Sequence, residues 1–357
     1  MERPLHVLLL HQLFATGSEA GGTRHWELGR HLAARGERVT AVAGSVSYLT
    51  GERHVEASPT GDLRVLRAWT FEGGRGFTGR VLAFLAFASS SFLKGLRVAD
   101  VDVVWGTSPP IFQAVSAWAV ARLRRVPFVL EVRDLWPDFA VALGVLRNPL
   151  LVRASRALEG FLYRAADRVV VNSPGFVDHV VGRGAAPEDV VVVPNGVDAA
   201  DFDPDSRGAL FRREVGARDD QLVVLYAGAH GVPNDLDVVL DAAQALRSDD
   251  RVRFVLVGGG RERERLRVRA RDLRLENVVF HGAVPKERMG EVLAAADVGL
   301  AILRPLDLFR TTYPNKVFDY MAAGRPTLLA IDGVIREVVE EAGAGLFVQP
   351  GDPRALA

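Results

Sequence analysis

The sequence predicts an α/β protein built of two doubly wound parallel-sheet domains. Three observations predict it. Short β-branched runs alternate with longer amphipathic stretches from end to end, the runs fall into two sets of about six, and 357 residues exceed what one small core needs. The first set is Leu5–His11, Arg38–Ala43, Val101–Trp105, Pro127–Val132, Arg168–Asn172 and Val190–Val193. The second is Leu222–Tyr226, Val252–Val257, Asn277–His281, Val298–Leu303, Thr327–Ala330 and Gly345–Val348. Strands this short with helical segments between them make βα units, and each domain then has its ligand crevice at the carboxyl ends of its strands. Turn residues concentrate in Pro194-Asn195-Gly196-Val197-Asp198 and Asp201-Phe202-Asp203-Pro204-Asp205, which sets the expected domains at 1–198 and 199–357. The end, Pro350 to Ala357, reads as a strand exit and the first turn of a helix, as expected of a truncated C-terminus.

Composition excludes several classes. The chain has no cysteine, which removes disulfides, thiolate nucleophiles, Fe–S clusters and Cys-zinc sites. Basic and acidic side chains number 44 each, so the basic footprint of a nucleic-acid binder is missing. No His/carboxylate cluster has metal-ligand spacing, and Asp203-Pro204-Asp205 matches a DxD metal motif by letters only. The apolar stretch Val81–Leu93 would make about 20 Å of helix, short of a ~30 Å bilayer core. It is expected to be a buried helix, with docking on a membrane surface through 80–94 as the alternative. Lys94, Lys286 and Lys316 are the only lysines among the 44 basic residues. Where arginine is so favoured, a surviving lysine marks a place that wants a compact ammonium.

Chemistry-bearing residues fall in the loops after strands. Gly21-Gly22-Thr23 precedes a helix starting near Arg24, with Thr23 as N-cap; it is either a ligand approach to backbone N–H groups or a tight turn. Arg133-Asp134-Leu135-Trp136-Pro137-Asp138 follows the strand Pro127–Val132. Asp134, with Asp138 second, offers an acid/base, and Trp136 offers a surface for a sugar; the plain alternative is an Asp-Pro turn with Trp136 in the core. Gly228-Ala229-His230-Gly231 and Gly258-Gly259-Gly260 follow strands of the second set, the latter more simply a strand-to-helix turn. The richest stretch runs Thr311-Thr312-Tyr313-Pro314-Asn315-Lys316 to Asp319 and on to Gly324. Pro-in and Gly-out mark a helix there, and Lys316 then lies in its first turn, where the dipole disfavours a cation. A bound anion would explain it, with Asp319 on the same face holding a hydroxyl; a Lys316–Asp319 surface pair is the alternative.

Together these residues resemble the retaining family 4 glycosyltransferases of the GT-B fold, in the bacterial branch that builds O-antigen, capsule and exopolysaccharide, typified by fucosamine and colanic acid transferases. The carriers are Gly21-Gly22-Thr23-Arg24-His25, Thr107-Ser108-Pro109-Pro110, Asp134-Leu135-Trp136-Pro137, Pro194-Asn195-Gly196-Val197-Asp198 and Pro314-Asn315-Lys316 through Ala322-Ala323-Gly324. The resemblance implies two Rossmann-like domains facing across a cleft, a nucleotide-sugar donor held mainly by the second, and a glycan or lipid-linked acceptor at the first. It implies no metal or other cofactor, retention of configuration, and a cytoplasmic or peripheral inner-membrane location. Carried onto this chain, Gly21 and Gly22 approach the donor diphosphate, and Lys316 neutralises it. Gly228, His230, Thr311, Thr312 and Asn315 line the donor, and Asp319 holds ribose hydroxyls. Two departures stand out. Thr311 occupies the place of the first glutamate of the family's pair, and Gly228-Ala229-His230 and Asn234 replace the usual Arg and Lys. The competing expectations on the same fold are a non-hydrolysing nucleotide-sugar epimerase and a non-catalytic nucleotide-sugar-binding subunit.

Overall fold

A computed structural model describes residues 3–19, 21–47, 53, 63–71 and 77–357. Its contacts divide the chain into an N-terminal unit that ends at Pro194 and a C-terminal unit that begins at Asn195. In the first, the strands are β1 (His6–His11), β2 (Arg38–Gly44), β3 (Leu63–Ala68), β4 (Val103–Ser108), β5 (Phe128–Val132), β6 (Arg168–Val171) and β7 (Val190–Val192). Its helices are α1 (Arg24–Ala34), α2 (Phe77–Gly95), α3 (Ile111–Arg124), α4 (Asp138–Ala142), α5 (Pro149–Ala165) and α6 (Val177–Gly182). The seven strands run parallel in the order β3-β2-β1-β4-β5-β6-β7.

In the C-terminal unit the strands are β8 (Leu222–Ala227), β9 (Val252–Val257), β10 (Val278–His281), β11 (Val298–Ile302), β12 (Thr327–Ala330) and β13 (Gly345–Phe347). Between them run α7 (Ala209–Glu214), α8 (Leu236–Ala245), α9 (Arg263–Asp272), α10 (Met289–Ala294), α11 (Asn315–Ala322), α12 (Val334–Glu341) and α13 (Pro353–Leu356). Six parallel strands are ordered β10-β9-β8-β11-β12-β13. The strand order reverses direction between β1 and β4 in one sheet and between β8 and β11 in the other. In this topology the loops leaving those strands run to opposite faces, and the carboxyl edge at that point is where such sheets bind their ligands.

Two sequence expectations need correction. The first sheet has a strand that the periodicity missed, β3, because Leu63-Arg64-Val65-Leu66-Arg67-Ala68 carries two arginines and reads as amphipathic rather than as strand. The apolar stretch 81–93 is a helix but not a buried one. Phe87, Ala88 and Ser91 of α2 are inside, Ser116 of α3 donates to the Ala88 carbonyl at 2.8 Å, and Leu82, Leu85 and Leu93 are exposed.

Local chemistry explains the helix ends that matter. The Asn148 side chain accepts from the N–H groups of Leu150 and Leu151, capping α5 just before Pro149. Pro314 stands at the N-cap of α11, and Gly324, at φ 66°, follows its end. α11 lies close on its sheet because residue 299 is glycine: a Cβ there would come within 2.4 Å of the Tyr320 ring. The Tyr320 hydroxyl then donates to the Leu300 carbonyl at 3.0 Å and accepts from the Ala227 N–H at 3.1 Å, pinning α11 against β8 and β11.

Candidate active site

In the C-terminal unit the chemistry gathers where β8 and β11 diverge. Lys316, second residue of α11, turns its ammonium over the Tyr226 ring, 3.8 Å from the centroid. Among the described residues it has no ion pair. The surrounding protein desolvates it and lowers its pKa to about 7, although part of the side chain remains accessible. The Tyr226 hydroxyl donates to the Ala229 carbonyl at 2.8 Å and so shapes the loop after β8. Gly228 is required there. Its φ is 153°, and a Cβ would sit 2.9 Å from Lys316 Nζ. His230 is fully buried with neither ring nitrogen partnered, and burial, helped by Arg263 and Lys316, lowers its pKa to about 4. The Lys316 amine, the Tyr226 ring, the Gly228 turn and a buried imidazole thus lie side by side, 6.0 Å separating the centroids of Tyr226 and His230.

The other expected donor residues divide. Asn315 stands at the first position of α11 with its Oδ1 buried and unpartnered. Thr311 and Thr312 spend their hydroxyls locally, donating to the Leu308 carbonyl at 2.7 Å and the Phe309 carbonyl at 2.8 Å. Asp319 is not paired with Lys316 but accepts from Lys286 Nζ at 2.7 Å. The surface-pair alternative for Lys316 therefore fails. The segment into α11 is tethered by Asn195, whose Nδ2 donates to the Tyr313 carbonyl at 2.5 Å.

In the N-terminal unit, Gly21 and Gly22 lie in the loop after β1. A Cβ on Gly22 would meet only Arg133 Nη2, at 3.8 Å, so its immediate surroundings do not demand glycine. Thr23 is the N-cap of α1, but its hydroxyl donates to Glu27 at 2.6 Å instead of accepting a backbone N–H. Asp134 follows β5 and keeps exposed surface, yet the dense protein around it desolvates the carboxyl and pushes it up to about 6 against the opposing pull of Arg133. Asp138, the second candidate, is already paired. It opens α4 with Oδ1 held by Arg156 at 3.0 Å and Oδ2 by Arg183 at 2.9 Å, so its carboxylate is committed to holding α4, α5 and the end of α6 together. Trp136 is half-buried, its ring 6.5 Å from that of Phe112.

Beneath this edge lies a buried network that sequence reasoning missed. Glu131 of β5 accepts from Arg24 Nε at 2.7 Å and Trp105 Nε1 at 3.0 Å, and pairs with His25 Nε2 at 2.8 Å. Arg24 also donates to the carbonyls of Val193 and Pro194. Burial alone would raise Glu131, but the hydrogen bond with His25 and the charge of Arg24 outweigh it and hold the carboxylate well below its usual range. Burial favours neutral imidazole at His25, so Arg24 is the permanent countercharge. The one available signal was a lone carboxylate inside the run Phe128-Val129-Leu130-Glu131-Val132. Among the described residues no group of three or more His, Asp or Glu could hold a metal ion.

Comparison with known proteins decides the family. Residues 20–196 match the glycosyl transferase 4-like domain, and residues 221–357 match the glycosyl transferases group 1 family. The chain belongs to the glycosyltransferases. This glycosyltransferase is 26% identical over 287 residues to WcaI of Escherichia coli K12, a protein named for colanic acid biosynthesis glycosyl transfer, covering 78% of this chain and 70% of that one. It is 28% identical over 362 residues to the D-inositol 3-phosphate glycosyltransferase of Geodermatophilus obscurus, covering 95% and 76%. Its fold is GT-B, shared with Anabaena HepE crystallised with UDP and glucose (TM-score 0.73, 17% identity, 99% of this chain and 88% of that one). The sucrose-phosphate synthase of Thermosynechococcus elongatus superposes equally well, at TM-score 0.75 and 18% identity over the same shares.

Proposed function

We propose that this glycosyltransferase moves a sugar from a nucleoside-diphosphate sugar to a hydroxyl of a glycan or lipid-linked acceptor, with retention and without a metal ion, as a family 4 enzyme of cell-surface polysaccharide synthesis. The observation that carries the reading is the Lys316 ammonium, held without a counterion over Tyr226 and beside Gly228 at the start of α11. A leaving diphosphate gathers negative charge as the glycosidic bond breaks, and a preplaced cation with a helix N-terminus stabilises that charge more than the ground state. HepE was crystallised with UDP-glucose, and a trehalose-6-phosphate protein of E. coli with UDP-2-fluoro glucose, which makes UDP the first nucleotide to try. The test titrates UDP and GDP calorimetrically in the presence of EDTA, then follows the anomeric configuration of the transfer product by NMR. Micromolar binding of one nucleotide and a retained anomer are expected; loss of binding in EDTA or an inverted anomer overturns the reading.

Asp134 is the group we assign to orienting or deprotonating the acceptor hydroxyl. Asp134→Asn should lower kcat by about 10²–10⁴-fold while leaving the nucleotide Kd unchanged. A base must be ionised to act, so with a carboxyl near 6 the wild-type kcat/KM should rise with pH through about 6 and level off above it. An equally weakened nucleotide Kd in Asp134→Asn would move this residue to the donor side.

Among the described residues no helix is long and apolar enough to cross a membrane. We further propose peripheral membrane contact through 80–94, supported by exposed Leu82, Leu85 and Leu93 on α2 and exposed Trp69, whose carbonyl accepts from Ser90 of that helix. Vesicles containing phosphatidylglycerol should retain the wild type and release Leu82→Asp/Leu85→Asp; equal flotation of both excludes this surface.

A further inference from the structure

Lys286 is the other lysine of the C-terminal unit. It leaves the turn Lys286–Arg288 after β10, reaches α11, and donates its ammonium to Asp319 at 2.7 Å, with the Phe202 ring centroid 5.3 Å away. Both side chains are largely buried, 16% and 19% exposed. A pair this desolvated gains little net stability, because its mutual attraction is spent on the lost hydration. Packing alone would be served as well by an apolar contact.

The position of the pair gives a better reason. Asp319 is carried three residues after Lys316 on the same helix, one turn from the proposed diphosphate site. An uncompensated carboxylate there would repel the diphosphate and weaken it by about tenfold or more. Yet a nucleotide presents two vicinal ribose hydroxyls near its diphosphate, and an ionised carboxylate, which only accepts, is the group that receives both. A carboxylate neutralised by a buried ammonium meets both needs.

We infer that Lys286 is a positioning residue for nucleotide recognition: it cancels the charge of Asp319 and holds that carboxylate to accept from the ribose hydroxyls of the donor. The inference rests on the nucleotide-sugar reading above. Lysine rather than arginine fits the task, since one compact ammonium engages a single carboxylate oxygen.

The experiment compares UDP with 2′-deoxy-UDP (or GDP with 2′-deoxy-GDP, whichever wild type binds) in wild type, Lys286→Met, Lys286→Arg and Lys286→Met/Asp319→Asn, with folding checked by circular dichroism. Wild type should prefer the ribonucleotide by about tenfold. Lys286→Met should bind the ribonucleotide about tenfold more weakly and lose most of that preference, while Lys286→Arg keeps part of both. Adding Asp319→Asn to Lys286→Met should recover affinity but not the ribose preference, a rescue that a purely structural salt bridge would not give. Unchanged affinity and preference in folded Lys286→Met, or no rescue by Asp319→Asn, overturns the inference while leaving the nucleotide reading standing. Absence of UDP and GDP binding by wild type overturns both.

Discussion

Lys316→Ala should bind the nucleoside diphosphate about 10- to 100-fold more weakly than wild type, with little change in folding stability. A charge-assisted hydrogen bond to phosphate contributes about 1.5–3 kcal/mol, and each 1.4 kcal/mol is about a factor of ten. Stability should hold because the ammonium is a desolvated cation without an ion-pair partner among the described residues, and removing it relieves burial as much as it costs the contact with Tyr226. The same residue gives the site a pH signature. In the free protein the Lys316 pKa lies near 7, and a bound diphosphate must raise it. Between about 6, where the terminal phosphate itself begins to take up a proton, and about 7 the lysine is protonated in both states and affinity is level. Above that range, binding takes up a proton and affinity falls, by up to about tenfold per pH unit until the bound-state pKa is reached. Calorimetry at pH 8 in buffers of different ionisation enthalpy should therefore show proton uptake in the wild type and none in Lys316→Ala. Equal affinities of the two proteins, or no proton uptake by the wild type, would move the phosphate away from α11.

Replacing Glu131 by Gln should destabilise the N-terminal unit by about 3–5 kcal/mol, the cost of leaving a buried charge without its partner. The substitution is nearly isosteric, so the effect reports charge rather than volume: Arg24 keeps its carbonyl acceptors at Val193 and Pro194 but loses the carboxylate that balances it. Urea unfolding followed by tryptophan fluorescence should show an earlier transition, since the Trp105 indole donates to the same carboxylate. The sign with pH follows from a folded-state pKa lower than the ordinary 4.5. The stabilisation is fully present above about 4.5 and is lost as pH falls through the folded value, so the gap between the two proteins should narrow in acid. Coincident transitions at neutral pH would show that the network is not a stability element.

The fold was legible because its causes are local. Apolar runs of four to seven residues separated by amphipathic stretches state parallel βα units directly, and twelve of the thirteen strands could be placed within a few residues. β3 was missed because its arginines broke the apolar run, and only pairing with β2 makes it a strand. The scarcity of lysine also carried real information. The structure puts Lys94 on the Arg67 carbonyl at 2.6 Å, Lys286 on Asp319 and Lys316 over Tyr226, three specific placements of an ammonium.

Partnership across distant segments was not legible. By itself the sequence determined the two parallel-sheet units, the loops at their carboxyl edges and the presence of Lys316 at a helix start. Only the tertiary structure decided that Asp319 answers to Lys286 and not to its own helix neighbour, that Asp138 is tied up by Arg156 and Arg183, and that Glu131 anchors Arg24, His25 and Trp105. The reason is physical. Helix and strand periodicity is set by the backbone within a few residues, whereas a charge inside a protein is settled by whichever opposite charge the packed elements bring within about 3 Å, and that partner stands 18 to 107 positions away in these three cases.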